Sequence, residues 1–228
     1  MEQLNVVGLV GKAVKAPEAV KDIYGRGNVY ALYLDVTRNS GTVDRVLVLF
    51  QEDKVNGDSF GVLPWNEPGY MAALIVEDSR VEVTGVLQTY KNNATGRTQL
   101  FVWGKYLAAA RPEEPESNAV YITGELARVP VYRQTPFGRD ITDIMLRVPS
   151  EFAAGFNSFI PCITWGKAAK WAQNLEENSA VYLEGRIQSR DYVKCYEDGS
   201  EETLTTWEVS VCKIKADNEE EGAQEDGN

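Results

Sequence analysis

The sequence predicts a mainly β protein in which one five-stranded unit occurs twice and is followed by an acidic tail. Three observations lead to this fold class. Segments with alternating apolar and polar residues recur along the 228 residues, which is the pattern of half-buried strands. Glycine and proline landmarks of the first half return in the second half. From residue 216 onward the chain has no apolar periodicity, so a disordered tail is expected.

The repeat is visible in matched turn residues. The strand that opens each half aligns at an offset of 113, and a later strand aligns at an offset of 100. The offset falls because the first copy carries an insertion at about residues 51–79. The matched positions are Gly11 and Gly124, Pro17 and Pro130, Gly25 and Gly138, and Val81–Gln88 and Val181–Gln188. Two copies of one domain explain these matches better than chance similarity among strands.

The first copy contains five candidate strands. They are Asn5–Val14, Val29–Thr37, Val43–Phe50, Val81–Lys91 and Thr98–Tyr106. The insertion between the third and fourth is rich in Gly, Pro and Asn, which predicts a long loop. A short helix is expected near its end, at Tyr70–Val76.

The second copy repeats this order. Its candidate strands are Ala119–Val129, Asp140–Val148, Phe159–Trp165, Val181–Tyr192 and Leu204–Lys215, with a helix at Lys167–Leu175. Five short strands with a helix between the third and the fourth are typical of an OB-fold barrel, whereas a β-sandwich with an extra helix is the alternative. The predicted fold is therefore two tandem OB-fold barrels. They occupy residues 1–111 and 118–215, joined by a linker at 112–117 and followed by the tail at 216–228.

The net charge of −11 is concentrated outside the predicted barrels. Nine of the 34 acids lie in the tail and in the linker, which leaves 25 acids against 23 bases elsewhere. The barrels are therefore nearly neutral, and the local placement of Lys and Arg matters more than the total.

Several function classes lose their usual residues. The chain has no histidine, which removes His-based triads and most zinc sites, so we expect neither an enzyme nor a metal or cofactor site. Cys162 and Cys212 lie in strand-like runs and are expected to be reduced and half-buried, and Cys195 leaves the count odd. No apolar run is long enough to span a membrane, and no secretory signal opens the chain, so a cytoplasmic location is expected.

The stretch Val181–Tyr192 carries the strongest functional pattern. Its apolar residues alternate with a second face that holds aromatic rings and guanidinium groups. Such a face can stack unpaired bases and contact phosphates.

The second copy resembles the bacterial single-stranded DNA-binding protein family and its primosomal relatives. The resemblance covers most of residues 118–214 and rests on NAVYITGELARVPVYRQTPFGRDI, IPCITWGKAAKWA and VYLEGRIQSRDY. The matched landmarks of the opening hairpin are Gly124, Pro130, Arg133, Thr135, Pro136 and Gly138. The first copy shares only the strand skeleton and its Gly, Pro and Gln landmarks.

The resemblance implies base-stacking positions at Phe159, Trp165 and Tyr192, and a loosely aligned one at Phe152. In the first copy it places Phe50 at the position of Trp165 and Asp44 at that of Phe159, and Tyr90 falls two residues short of the Tyr192 position. Candidate phosphate contacts include Arg133, Lys167, Arg186 and Arg190. A core role is the alternative for Trp165, and it is the expected role of Trp171 and Trp207.

The function implied is sequence-tolerant binding of single-stranded DNA in replication, recombination or repair. A homodimer would supply four barrels, and replication or repair proteins are possible partners, although the tail lacks the apolar tip that recruits them in the family. A protein-docking adaptor like the primosomal relatives is the alternative. RNA as the ligand also stays open. A carboxylate-dependent nuclease would need metal ligands such as Asp140 and Asp143, or Glu201 and Glu202.

Overall fold

The computed structural model describes residues 2–20, 29–51, 70–91, 96, 98–151, 155–196 and 199–216. Within these ranges the chain is mainly β, with twelve strands and two short helices. The strands are β1 Asn5–Ala13, β2 Glu18–Val20, β3 Val29–Thr37, β4 Val43–Gln51, β5 Arg80–Lys91, β6 Thr98–Ala109, β7 Ser117–Leu126, β8 Val131–Gln134, β9 Asp140–Pro149, β10 Asn157–Trp165, β11 Ala180–Cys195 and β12 Glu201–Ala216. The helices are α1 Tyr70–Leu74 and α2 Gly166–Ala172.

Five strands of the first half pair in a closed cycle, which we call the first ring. Antiparallel pairs join β1 to β5, β5 to β6, and β3 to β4. A parallel pair joins β4 to β6, and a short antiparallel pair between β1 and β3 closes the cycle. Because the cycle is closed, each of its five strands pairs with two others. The short β2 pairs with β3 outside the cycle.

The second half repeats this cycle with β7 and β9–β12, which we call the second ring. Its antiparallel pairs are β7–β11, β11–β12 and β9–β10, its parallel pair is β10–β12, and β7–β9 closes it. The short β8 pairs with β9, as β2 pairs with β3. The two halves therefore share one topology.

The two rings meet through their first strands. β1 and β7 pair antiparallel, with Asn5 opposite Ile122 and Leu9 opposite Asn118. In the sequence repeat, Asn5 corresponds to Asn118 and Leu9 corresponds to Ile122. Asn5 therefore faces the counterpart of Leu9, Leu9 faces the counterpart of Asn5, and the two rings are related by an approximate two-fold axis. One continuous twelve-stranded sheet results.

A pair of asparagine side chains follows the same symmetry. The Asn5 amide donates to the carbonyl oxygen of Leu87 and accepts from its N–H, both at 2.9 Å. The Asn118 amide does the same with Ile187, at 2.7 and 2.9 Å. Each side chain thus satisfies both backbone groups of one residue on the neighbouring strand.

Matched glycines mark a β-bulge in each ring. The register shifts between Thr84 and Gly85 in the first ring, and between Glu184 and Gly185 in the second. A Cβ atom on Gly85 would lie 2.3 Å from a carbonyl oxygen of the facing strand, and one on Gly185 would lie 2.4 Å from another. Only glycine allows this approach, which explains the repeated glycine.

Apolar side chains of both rings form one buried core. It includes Val7, Leu9, Val48 and Phe50 in the first ring, and Val120, Ile122, Cys162 and Val209 in the second. Ala168 and Ala172 place one side of α2 on this core, and Trp171 and Trp207 pack against it half-buried. Trp207 also lines a groove at the surface and donates its Nε1–H to the Arg45 carbonyl oxygen, so the core role predicted for it holds only in part.

The structure differs from the sequence predictions at some elements. The helix expected at Lys167–Leu175 ends at Ala172, and β2 and β8 were not predicted because short exposed edge strands have no apolar alternation. Cys212 is exposed rather than half-buried, because it is the extra residue of the second bulge. Cys162 is buried, and burial raises the pKa of its thiol. None of the described helices is long and apolar enough to cross a membrane.

Candidate nucleic-acid interface

The strands of the second ring present one continuous surface away from the core, which we call the outer face of the second ring. β10 alternates, so that Ile160, Cys162 and Thr164 are buried inside the ring and the residues between them point outward. The outer face consists of Phe159, Pro161, Ile163 and Trp165 on β10, Arg186, Gln188, Arg190 and Tyr192 on β11, Thr206, Glu208 and Ser210 on β12, and Arg133, Ile141 and Asp143 on β8 and β9.

Two of the predicted stacking residues line one groove on this face. Phe159 is 45% exposed and Tyr192 is 40% exposed. The groove has a volume of about 620 Å³, and its far wall is the β5–β6 hairpin of the first ring, which contributes Thr89, Gln99 and Leu100. Both rings are therefore needed to form it.

Hydrogen bonds between the rings fix the position of Phe159. The Phe159 N–H donates to Thr89 Oγ1 at 3.2 Å, and the Thr89 N–H donates to Ser158 Oγ at 3.2 Å. The buried Gln88 accepts from Ser158 Oγ and from the Glu151 N–H, each at 3.0 Å. The aromatic side chain thus projects from a backbone that is held on the opposite ring.

Trp165 and Lys167 lie where β10 gives way to α2. Trp165 is the last residue of β10 and is half-buried, and Lys167 is exposed in the first turn of the helix. Trp165 pairs with Ile141, which in turn pairs with Arg133, so these three residues form a row across the outer face.

The arginines of the outer face differ in their partners. Arg133 donates to both carboxylate oxygens of Asp143, at 2.7 and 3.2 Å, and this hydrogen bonding raises the pKa of Arg133. Arg190 Nε lies 3.4 Å from Glu208 Oε1. Among the described residues, Arg186 has no such acid, and its buried Nε has no hydrogen-bond partner.

The hairpin between β8 and β9 is braced against α2 by Asp140. Tyr132 and Gln134 donate to Asp140 Oδ1 at 2.5 and 2.9 Å, and Lys170 Nζ lies 3.0 Å from Oδ2. Hydrogen bonds from Tyr132, Gln134 and Lys170 lower the pKa of Asp140 to about 2. At neutral pH the Asp140 carboxylate is therefore ionised and holds the hairpin against α2.

The predicted alignment of Asp44 with Phe159 and of Phe50 with Trp165 is displaced by one residue, so the stacking role predicted for Phe50 is wrong. The strand pairings match Asp44 to Ser158 and Phe50 to Thr164, and all four side chains are buried. Phe50 is 0% exposed and stacks on Tyr30 inside the core, with ring centroids 5.7 Å apart, so no base can reach it. A shift of one residue on a strand moves every side chain to the opposite face.

Two further predicted residues lie away from the groove or outside the described chain. Tyr90 is half-buried, packs edge-on against Phe101 at 5.6 Å, and donates its hydroxyl to Gln99. The strand register matches Tyr90 to Arg190, two residues before Tyr192, as the sequence alignment predicts. Phe152 falls outside the described residues.

Sequence reasoning missed two parts of this region. The first-ring wall of the groove gives no sequence signal, since Thr89, Thr98 and Gln99 are ordinary strand residues. Phe137, by contrast, could have been noticed, because an aromatic residue between Pro136 and Gly138 in a tight turn has nowhere to be buried. It is 94% exposed at the tip of the β8–β9 hairpin.

The carboxylates considered as metal ligands are engaged elsewhere. Asp140 and Asp143 bind the side chains just described, and Glu202 accepts from the Tyr196 hydroxyl. The described residues contain no cluster of three or more Cys, Asp or Glu side chains that could hold a metal ion.

The fold is that of known single-stranded DNA-binding proteins. A deletion mutant of the single-stranded DNA-binding protein from Thermus aquaticus superposes with a TM-score of 0.66 at 19% sequence identity, covering 96% of this chain and 98% of that one. The wild-type form gives the same TM-score at 18% identity, with 100% and 98% covered. At these identities the likeness concerns the fold.

Sequence comparison finds similarity to the same class of proteins. Residues 117–216, from the start of β7 to the end of β12, match the model of the single-strand binding protein family. The "Single-stranded DNA-binding protein 2" of Chlorobaculum tepidum is 28% identical over 128 residues, which cover 49% of this chain and 84% of that protein. The resemblance inferred from the sequence is confirmed.

Proposed function

We propose that this chain binds single-stranded DNA with little sequence preference, by stacking bases on aromatic rings and by contacting phosphates with arginine and lysine. The main support is the groove in which Phe159 and Tyr192 are both exposed. Each base stacked on such a ring contributes about 1–3 kcal/mol, and every base has a face to stack. Paired bases in a duplex hide these faces, so a duplex should bind much more weakly.

In the proposed arrangement each ring is an OB-fold barrel with a short helix after its third long strand. The parallel pairs β4–β6 and β10–β12, and the closing pairs β1–β3 and β7–β9, support this assignment. The domains are then residues 1–111 and 118–215, with the linker at 112–117 and the acidic tail at 216–228. The tail residues 217–228 lie outside the described residues.

The contacts divide between bases and backbone. We assign stacking to Phe159, Tyr192 and Trp165, and phosphate contact to Lys167, which is exposed, and to Arg186, which has no acidic partner among the described residues. Arg133 and Arg190 can contribute only by leaving their acidic partners.

We further propose that the protein protects single-stranded DNA in replication, recombination or repair, and that a homodimer brings four barrels to one strand. Light scattering tests the assembly: a dimer at micromolar concentration supports it, and a monomer contradicts it. DNA binding by one chain does not depend on this outcome.

The test of function is a fluorescence titration of the full chain with oligo-dT, repeated with a duplex of equal length. We expect quenching by the single strand and much weaker binding of the duplex. Phe159→Ala and Tyr192→Ala should each weaken oligo-dT binding by about 1–3 kcal/mol, because each removes one stacking surface.

Tyr121→Ala is the matched control for Tyr192→Ala. Tyr121 is 41% exposed, close to the exposure of Tyr192, but it lies on β7 and does not line the groove. Its removal should leave affinity unchanged. Absence of binding at low salt, or equal losses in Tyr121→Ala and Tyr192→Ala, would refute the proposed site.

A further inference from the structure

Two of the candidate phosphate-binding arginines are already paired with acids of the same face. Asp143 accepts two hydrogen bonds from Arg133, and Glu208 faces Arg190 at 3.4 Å. Both acids point outward among the residues that surround the groove, rather than away from it. A phosphate that binds either arginine must therefore compete with a carboxylate.

Glu208 is the more unusual of the two acids. It is only 8% exposed, and Gln188 Nε2 donates to the same oxygen, Oε1, at 2.7 Å. Glutamate is rarely this buried without a function or a firm partner, and Arg190 is too exposed to be such a partner.

The first ring shows that the fold does not require this acid. The strand register matches Glu208 to Phe101, which lies opposite Gln88 as Glu208 lies opposite Gln188. Phe101 is buried in an apolar cluster. The acid is therefore a property of the outer face of the second ring and is not required by the topology of the ring.

We propose that Glu208 and Asp143 limit the affinity of the outer face for the nucleic-acid backbone by neutralising Arg190 and Arg133. This inference rests on the proposed function. Among the described residues, Arg186 is then the arginine of this face that has no acidic partner to compete with a phosphate. Binding depends mainly on stacking and releases fewer counterions than the number of arginines implies, so the bound strand is exchanged readily.

The experiment measures oligo-dT affinity of the full chain over a range of salt concentrations. Glu208→Gln keeps the shape of the side chain and an acceptor for Gln188, but it removes the charge. We expect it to lower Kd about three- to tenfold at low salt, and to steepen the slope of log K against log salt by about 0.7 for the arginine released. Asp143→Asn should act in the same direction through Arg133.

Two controls separate the charge effect from a structural one. Glu184→Gln removes an equivalent charge from a pair with Lys213, 3.1 Å away and outside the groove, and it should change neither Kd nor slope. The double variant Arg190→Ala/Glu208→Gln should lose the increase in oligo-dT affinity that Glu208→Gln shows alone. If that increase came from a general loosening of the strand, it would persist without Arg190.

The outcomes are distinct. If the wild-type chain does not bind oligo-dT, the proposed function fails, and the neutralisation that rests on it fails with it. If the wild-type chain binds, and Glu208→Gln and Asp143→Asn leave affinity and salt slope unchanged or weaken binding, the proposed neutralisation is wrong. Circular dichroism of each variant shows whether it is folded before its affinity is interpreted.

Discussion

The two rings share one topology, yet their corresponding surfaces have opposite character. On the first ring this surface holds Leu47, Leu49, Phe101 and Trp103, all buried in a second apolar cluster. The register matches them to Pro161, Ile163, Glu208 and Ser210 on the second ring. Ile163, Glu208 and Ser210 are also buried, so the matched positions differ in polarity and not in exposure. The interior of a ring determines its fold, whereas its outer face can be either apolar throughout or partly polar and charged.

This contrast bears on how the proposed binding is divided. The first ring contributes Thr89, Gln99 and Leu100 to the wall of the groove, but its own outer face is not available for stacking. One chain should therefore bind through one groove rather than through two equivalent surfaces.

The largest expected effect is on the closed face. Phe101→Ala should lower the free energy of unfolding by about 3–5 kcal/mol, because it leaves a cavity in a buried cluster. Glu208→Ala, at the matched position, should cost less, about 1–3 kcal/mol, because it removes the hydrogen-bond acceptor of Gln188. Urea denaturation measures both. Similar losses in the two variants would show that the faces do not differ as described.

A smaller effect should be shared by both rings. Asn5→Ala and Asn118→Ala each remove a side chain that satisfies the N–H and carbonyl group of one residue, Leu87 or Ile187. Each variant should lose about 1–2 kcal/mol of unfolding free energy. Urea denaturation measures both losses. A loss in only one variant would show that the two contacts do not contribute equally to stability, although their geometry is the same.

The smallest effect concerns the hairpin of the second ring and depends on pH. The pKa of Asp140 falls from 3.8 to about 2 on folding, because Tyr132, Gln134 and Lys170 hydrogen-bond its carboxylate. Its contribution to stability is therefore complete above this unfolded value of 3.8 and is lost as the pH falls toward 2. The stability difference between wild type and Asp140→Asn should be constant near neutral pH and shrink between about pH 4 and pH 2. A difference that does not change with pH would contradict this assignment.

Much of the fold follows from sequence patterns, and the errors have physical causes. Long alternating strands were predicted closely, for example Val29–Thr37 as β3, because alternation records which face is buried. The match of Phe50 to Trp165 failed because the connections before β4 and β10 differ in length, and a slip of one residue reverses the face. Phe159 and Tyr192 were found from the sequence, whereas the opposite wall depends on how the rings meet.

The antiparallel pairing of β1 with β7 has one more consequence. In a dimer of identical chains every substitution appears on both subunits, so an apolar cluster that closes one surface would close its partner as well. Here the two matched units belong to a single polypeptide, and each can be altered alone. Covalent linkage thus permits one unit to become a supporting wall while its counterpart keeps an accessible surface.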